Sequence, residues 1–234
     1  MNRPISKTDT LRPSVLAAWV AIGAAGTVLL LLAALHVLSP EFDPSFRVVS
    51  EYANGRYGWV LSLLFVAWAL SSWALAIAIW SELERVGGKI ALGFLIAAGV
   101  GEAMASVFDI HHPLHNLAGM IGVLSLPTAA MLISVRLGRT PAWLGARKAL
   151  LWTANLTWAI LVLMFAALFI MIRGYTLAGN KIVFVRWANR LLVVLYCAWV
   201  MTVAIQALKR RRPLREPPDT LDGSDDRKRT GSDS

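Results

Sequence analysis

The stretch FDIHHPLHN, residues 108–116, separates two long apolar runs and decides how the chain is divided into helices. It holds three of the four histidines and one carboxylate, and it has no lysine or arginine. Pro113 suits the first turn of a new helix, because the N–H that proline lacks has no partner inside a helix at that position. The stretch therefore predicts a polar hinge between two helices.

The composition is that of a membrane protein. Of the 234 residues, 57% are hydrophobic, and the mean hydropathy is +0.59, whereas a soluble domain is about 45–50% apolar. Several runs longer than about 18 residues carry almost no charge, which predicts transmembrane helices. The expected fold is all-α, a six-helix transmembrane bundle with helices at about 14–38, 58–80, 90–108, 113–137, 150–172 and 187–208.

The distribution of basic residues predicts the orientation. With six helices both termini lie on one side, and that side then carries 17 of the 23 lysines and arginines. The positive-inside rule places it in the cytoplasm. We expect a multi-pass plasma-membrane protein with a cytoplasmic segment at 1–13, a membrane domain at 14–210 and a disordered cytoplasmic tail at 211–234. The net charge of +9 is then explained by cytoplasmic loops, and no nucleic-acid partner is implied.

In this orientation, most of the polar residues that could bind a ligand or take part in catalysis lie at the outer face. Glu102 is deeper, two turns before Asp109 on the same predicted helix and about 10 Å below it, so the two carboxylates are expected to share a helix face. A carboxylate at that depth usually faces a cavity or a partner. The outer set comprises His36, Asp43, Ser50, Glu51, Tyr52, Asp109, His111, His112, His115, Arg173, Arg186 and Arg190.

A metal site is the first interpretation of this set. Imidazole and carboxylate groups are zinc ligands, and an open position on the ion would activate water. The candidate ligands are His36, Asp109, His111 and His115. If the protein is an enzyme, the candidate catalytic residues are Ser50, Asp109 and His112.

Two other interpretations involve the arginines. Glu102 and Asp109 would form ion pairs with Arg173, Arg186 or Arg190, since buried charges in membranes are commonly paired. Alternatively, Arg186 and Arg190, four residues apart, would grip the phosphate of an anionic lipid headgroup. The candidate substrate-binding residues are Tyr52, Glu102, Arg186 and Arg190.

One set of short motifs resembles a known family. The motifs are Leu35-His36, Ser39-Pro40, Asp43, Ser50-Glu51-Tyr52, Gly55 and Gly58-Trp59, followed by Phe108-Asp109, His112 and His115. Over roughly residues 14–210 they resemble the domain-of-unknown-function 998 family of bacterial and archaeal integral membrane proteins. The resemblance implies the fold and supplies no activity.

A weaker resemblance is to the seven-helix membrane hydrolases that include alkaline ceramidases and progestin-receptor-like proteins. Those proteins use a serine, an aspartate and three histidines around zinc, and the resemblance implies these roles for Ser50, Asp109, His36, His111 and His115. This chain departs from that pattern in its six predicted helices, in the position of Ser50 in a loop and in the mid-chain position of its histidine pair.

Two functions follow as the main hypotheses, and a small-solute transporter is a third. The first is a non-enzymatic component that binds lipid, senses a signal or assists an unidentified protein partner. The alternative is a metal-dependent intramembrane hydrolase with a lipid-like substrate. In either case the lipid bilayer is a partner, and anionic headgroups are the expected specific ligands.

Overall fold

The computed structural model describes residues 7–43, 47–172 and 180–211. Within these ranges there is no strand, and six helices are long and apolar enough to cross a membrane. This confirms the all-α six-helix membrane bundle. The helices are α1 Lys7–Leu38, α2 Gly58–Ile79, α3 Val86–Val107, α4 Pro113–Leu137, α5 Arg147–Ile172 and α6 Asn180–Arg211. Short 3₁₀ helices at Val49–Asn54, Trp80–Glu82 and Pro141–Ala146 lie in the connections.

The helix ends differ from the predicted ends in an informative way. The fourth helix begins at Pro113, as predicted, with His112 as its N-cap. However, α1 begins at Lys7 and α6 at Asn180, whereas the apolar runs begin at Ser14 and Trp187. A helix continues past the apolar run, because its backbone still forms internal hydrogen bonds where polar side chains meet water. The predicted tail lies outside the described residues beyond Arg211.

One sequence prediction about a shared helix face is wrong. Helix α3 ends at Val107, and Phe108 is its C-cap with extended backbone. Asp109 therefore lies in the hinge, beyond the helix, and the seven-residue spacing to Glu102 does not place the two carboxylates on one helix face.

The six helices form a closed arrangement. Each helix packs against its neighbours in the chain, α6 packs back against α1, and α2 also reaches α6. Helix α2 is the most buried of the spans and α5 the least. We call the end of the bundle that carries residues 39–43, 47–57 and 109–112 the histidine face. The end that carries residues 80–85 and 138–146 and the end of α6 is the basic face.

Helices α3 and α4 approach each other at small residues. A Cβ atom added to Gly101 would lie 2.7 Å from the carbonyl oxygen of Ala118 and 2.9 Å from Cα of Gly122. Small residues permit such close backbone approach between membrane helices. This contact brings Glu102, the next residue of α3, against α4.

A proline inside α4 is compensated by a side chain from α6. Pro127 has no N–H, so the carbonyl of Val123, four residues earlier, lacks its usual helical donor. The Tyr196 hydroxyl donates to that carbonyl oxygen at 3.0 Å. Freed backbone groups in membrane helices are commonly satisfied by a neighbouring helix in this way.

We expect Tyr196→Phe to destabilise the protein and Pro127→Ala to reduce that effect. Loss of the hydroxyl should lower the free energy of unfolding by roughly 0.6–1.7 kcal/mol, the range for hydrogen bonds between membrane helices. In the Pro127→Ala background the alanine N–H satisfies Val123, so the same substitution should have a smaller effect. A double-mutant cycle on thermal unfolding in detergent measures this coupling. Additive effects would contradict the assignment of Tyr196 to the freed carbonyl.

Candidate functional site

On the histidine face, Arg190 of α6 connects the first loop to the bundle. The first loop is the connection between α1 and α2, described at residues 39–43 and 47–57. Its side chain is buried, at 3% exposure. Its Nη1 donates to the carbonyl oxygen of Arg47 at 2.6 Å, and its Nη2 donates to the Tyr52 hydroxyl at 3.4 Å. The neighbouring Asn189 accepts the backbone N–H of Val49 through its Oδ1 at 3.0 Å. Two adjacent residues of α6 therefore hold the 3₁₀ helix of the first loop.

His36 completes this cluster as a neutral imidazole. Its Nδ1 lies 2.6 Å from the carbonyl oxygen of Leu32, and a carbonyl only accepts, so Nδ1 carries the hydrogen. Its Nε2 therefore holds the lone pair that accepts Nε–H of Arg190 at 3.0 Å. Both ring nitrogens of His36 are thus used within the protein.

The hinge is organised by Asp109. Its Oδ1 accepts the backbone N–H of His111 at 3.0 Å and that of His112 at 3.1 Å, the turn that aspartate commonly makes with following residues. The Nδ1 atom of His112 accepts the N–H of Leu114 at 3.2 Å, which caps α4. The side chains of Asp109 and His112 therefore stabilise the turn between α3 and α4.

The other two hinge histidines bind loop groups. His115 donates from Nδ1 to the carbonyl oxygen of Phe108 at 2.8 Å. His111 Nε2 lies 2.8 Å from Oδ1 of Asn54, which joins the hinge to the first loop. The histidines on this face therefore connect loops and helix ends.

The structure brings together only part of the predicted set. His36, Tyr52 and Arg190 are in contact. Within the described ranges no three His, Cys, Asp or Glu side chains form a group that could hold a metal. Ser50 lies in the 3₁₀ helix of the first loop. Arg173 lies outside the described residues, and the side chain of Arg186 is not among those described.

Glu102 lies within the membrane-spanning part of the bundle and is 5% exposed. Its Oε2 accepts the hydroxyl of Ser72, on α2, at 2.9 Å. Arg190, one of the three arginines expected as partners of Glu102 and Asp109, instead binds the first loop. Glu102 also lines a small cavity between α2, α3, α4 and α6.

A larger pocket, of about 520 Å³, opens on the basic face. Arg85 precedes α3, whereas Arg136 and Arg139 lie at the end of α4, and all three line this pocket. Their guanidinium groups are exposed and make no hydrogen bond or ion pair with any residue that the structure describes. Glu84 also contributes to the wall.

Beside the pocket, an ion pair fixes the end of α2 to the end of α6. Arg210 Nη1 lies 2.8 Å from Oε2 of Glu82. The same oxygen accepts the indole N–H of Trp143 at 3.3 Å, and the Arg210 guanidinium lies 5.0 Å from the centre of that indole ring. Glu82, which also lines the pocket, is therefore ion-paired with Arg210.

Sequence reasoning missed this pocket as a site. Its arginines come from two connections that are far apart in the chain, and each looks like an ordinary cytoplasmic loop residue. The available signal was the excess of lysine and arginine in the connections that form this face, which by itself indicates only an orientation.

The fold and these contacts define a multi-pass, all-helical integral membrane protein with polar groups at both ends of the bundle and one carboxyl inside it. Residues 15–206 match the family described as "Protein of unknown function (DUF998)", and the chain belongs to that family. No curated protein and no solved structure matches the chain. The weaker resemblance to seven-helix membrane hydrolases is not supported.

Proposed function

We propose that the protein is a non-enzymatic membrane protein that binds the phosphate of an anionic lipid headgroup in the pocket on the basic face. The observation that carries the proposal is that Arg85, Arg136 and Arg139 line one pocket of about 520 Å³ while their guanidinium groups have no protein partner in the described ranges. This volume lies within the usual range of ligand sites, about 300–1,000 Å³.

The chemistry of the three side chains favours phosphate. A guanidinium group presents a planar fork of donors that matches two phosphate oxygens. The basic face faces the cytoplasm in our proposed orientation, and the cytoplasmic leaflet of the plasma membrane is the one rich in anionic lipids. A reporter fused after Ser234 that is active only outside the cell would contradict this orientation.

The position of the pocket supports a sensing role. Arg85 belongs to the connection between α2 and α3, and Arg139 to the connection between α4 and α5. A headgroup that binds both arginines links two helix pairs that the chain joins only through the hinge. Binding would therefore stabilise one relative position of these pairs.

The arginines of the pocket should account for most of the affinity for anionic lipid. We expect each change of Arg85, Arg136 or Arg139 to glutamine to weaken binding roughly fivefold, and the triple variant to weaken it roughly 100-fold, since one basic residue near an anionic surface contributes about 1 kcal/mol. Binding is measured by native mass spectrometry of the detergent-purified protein titrated with phosphatidylglycerol. Phosphatidylcholine is the lipid control.

Lys89→Gln provides a matched control variant. Lys89 is an exposed basic residue in the first turn of α3, on the same face, and it does not line the pocket. If Lys89→Gln weakens binding as much as Arg136→Gln, the attraction is a general surface effect and the proposed site is wrong. Competition by inorganic phosphate alone, with no preference for the lipid, would assign the pocket to a soluble phosphate ligand instead.

A further inference from the structure

Helix α5 presents a side-chain amide to the membrane. It is the least buried of the six spans, and Asn155 lies on its exposed side. The helix has 26 residues and is about 39 Å long, whereas the hydrocarbon core of a bilayer is about 30 Å thick. Asn155 lies eight residues after Arg147, the first residue of the helix, which is about 12 Å along it. When the helix is centred in the bilayer, this amide therefore lies within the hydrocarbon layer.

The protein itself uses only part of the Asn155 amide. Its Nδ2 donates one N–H to the carbonyl oxygen of Leu151, one turn earlier on the same helix, at 2.8 Å. The second N–H and the Oδ1 acceptor have no partner among the residues that the structure describes. Lipid tails supply neither a donor nor an acceptor, so an amide without partners is costly in hydrocarbon. Polar side chains in membrane spans commonly form hydrogen bonds to another helix.

Asn155 belongs to a continuous exposed stripe along α5. The residues of this stripe recur at alternating intervals of three and four, the spacing of the contact positions in a left-handed pair of helices. In order they are Trp152, Asn155, Ala159, Val162 and Ala166, and all five are exposed. Trp152 and Val162 are 61% and 57% exposed. Ala159 and Ala166 are small and permit close approach of a second helix.

We propose that this stripe is the interface of a homodimer, in which α5 packs against α5 of a second copy of the chain. Copies in one membrane share a single orientation, so a twofold axis along the membrane normal places the same residue of each copy at the same depth. The two Asn155 side chains then meet. An amide carries both donors and an acceptor, so each Asn155 donates its remaining N–H to Oδ1 of the other. One symmetric pair of hydrogen bonds thus satisfies both copies.

The polar complementarity of the amide favours a second copy over lipid or an unrelated helix. An unrelated helix would need its own donor and acceptor at this depth, whereas a second copy supplies both by symmetry. A single polar residue at a contact position of paired helices also fixes their register and number. Lys148, one turn before Trp152, is exposed at the basic end of the helix. Water and anionic headgroups screen its charge from that of the second copy.

Energy transfer between labelled copies in phospholipid vesicles tests the proposal. Donor and acceptor fluorescent proteins are fused after Ser234, and the protein-to-lipid ratio is varied to measure the dissociation constant of the dimer. We expect the parent chain to dimerise and Asn155→Leu to raise the dissociation constant roughly 30-fold, because two hydrogen bonds between helices are lost. Asn116→Leu is the matched control. Asn116 is an exposed asparagine of α4, outside the stripe, and its replacement should leave the dissociation constant unchanged.

Disulfide cross-linking in native membranes locates the interface independently. Oxidation by copper phenanthroline in air should join two copies of the Val162→Cys variant, because this position lies on the stripe. Ile77→Cys is the control, since Ile77 lies on α2 and is equally exposed, at 57%. It should not cross-link. The parent chain provides the blank, because its cysteine, Cys197, is buried.

Three outcomes would overturn the proposal. A parent chain that stays monomeric at every protein-to-lipid ratio would leave the stripe to lipid or to a different protein. An unchanged dissociation constant in Asn155→Leu would exclude the amide from the interface. A dimer whose Val162→Cys variant does not cross-link would place the interface on another helix. If Asn155→Leu does not fold, as judged by thermal unfolding, the comparison of Val162→Cys with Ile77→Cys still decides the question.

Discussion

Replacement of Arg190 by alanine is expected to lower the free energy of unfolding by about 3 kcal/mol. The guanidinium group donates to the ring of His36 and to the carbonyl of Arg47, and its removal leaves both of these part-buried acceptors without these donors. Each buried acceptor without a partner costs about 1–3 kcal/mol. Thermal or denaturant unfolding of the purified protein in detergent measures the loss.

Arg190→Ala should also release the first loop before the whole protein unfolds. Amide hydrogen exchange should rise at Val49–Asn54, the segment held by Arg190 and Asn189, while exchange at the centre of α2 changes little. Arg190→Lys should not restore stability, because one ammonium group cannot reach partners that a guanidinium serves in different directions.

Arg56→Ala is the matched control for Arg190→Ala. Arg56 is exposed and lies on the same face. Its guanidinium lies 5.7 Å from the ring centre of Tyr57. A surface change of this kind should alter stability by no more than about 0.5 kcal/mol. Equal effects of the two substitutions would contradict the anchoring role of Arg190.

Gly101→Ala is expected to destabilise the bundle by about 1–3 kcal/mol, the usual effect of overpacking. The added methyl group would overlap the backbone N of Gly122 and lie 2.7 Å from the carbonyl oxygen of Ala118. These are backbone atoms, so α3 and α4 must separate to admit it. The separation would also move Glu102, the next residue of α3.

Gly93→Ala is the control on the same helix. A Cβ atom at Gly93 would meet nothing within 4 Å, and alanine favours a helix over glycine by roughly 0.5–1 kcal/mol. Gly93→Ala should therefore be neutral or slightly stabilising in the same unfolding assay. If Gly101→Ala behaves in the same way, the close contact between α3 and α4 is not important for stability.

The helices could be predicted from the sequence because each depends on local composition. A run of about 20 apolar residues must satisfy its backbone hydrogen bonds internally in a bilayer, so it becomes a helix whatever its neighbours are. The start of α4 at Pro113 could be predicted for the same reason, because the proline and the histidine that caps the helix act within one turn of each other. The family resemblance rested on the same loop and hinge motifs and is confirmed over residues 15–206.

The partners of the polar side chains depended on the tertiary structure. Lipid and the bundle interior are both apolar, so the hydrophobic pattern of a membrane helix does not indicate which side faces inward. For this reason the sequence offered Arg190 as a partner for Glu102, whereas the fold places it against His36, and Ser72 reaches Glu102. The basic-face pocket depends in the same way on how two distant connections meet. The local chemistry of the chain determined its helices and turns, and the packing of those helices decided which charges and donors share a site.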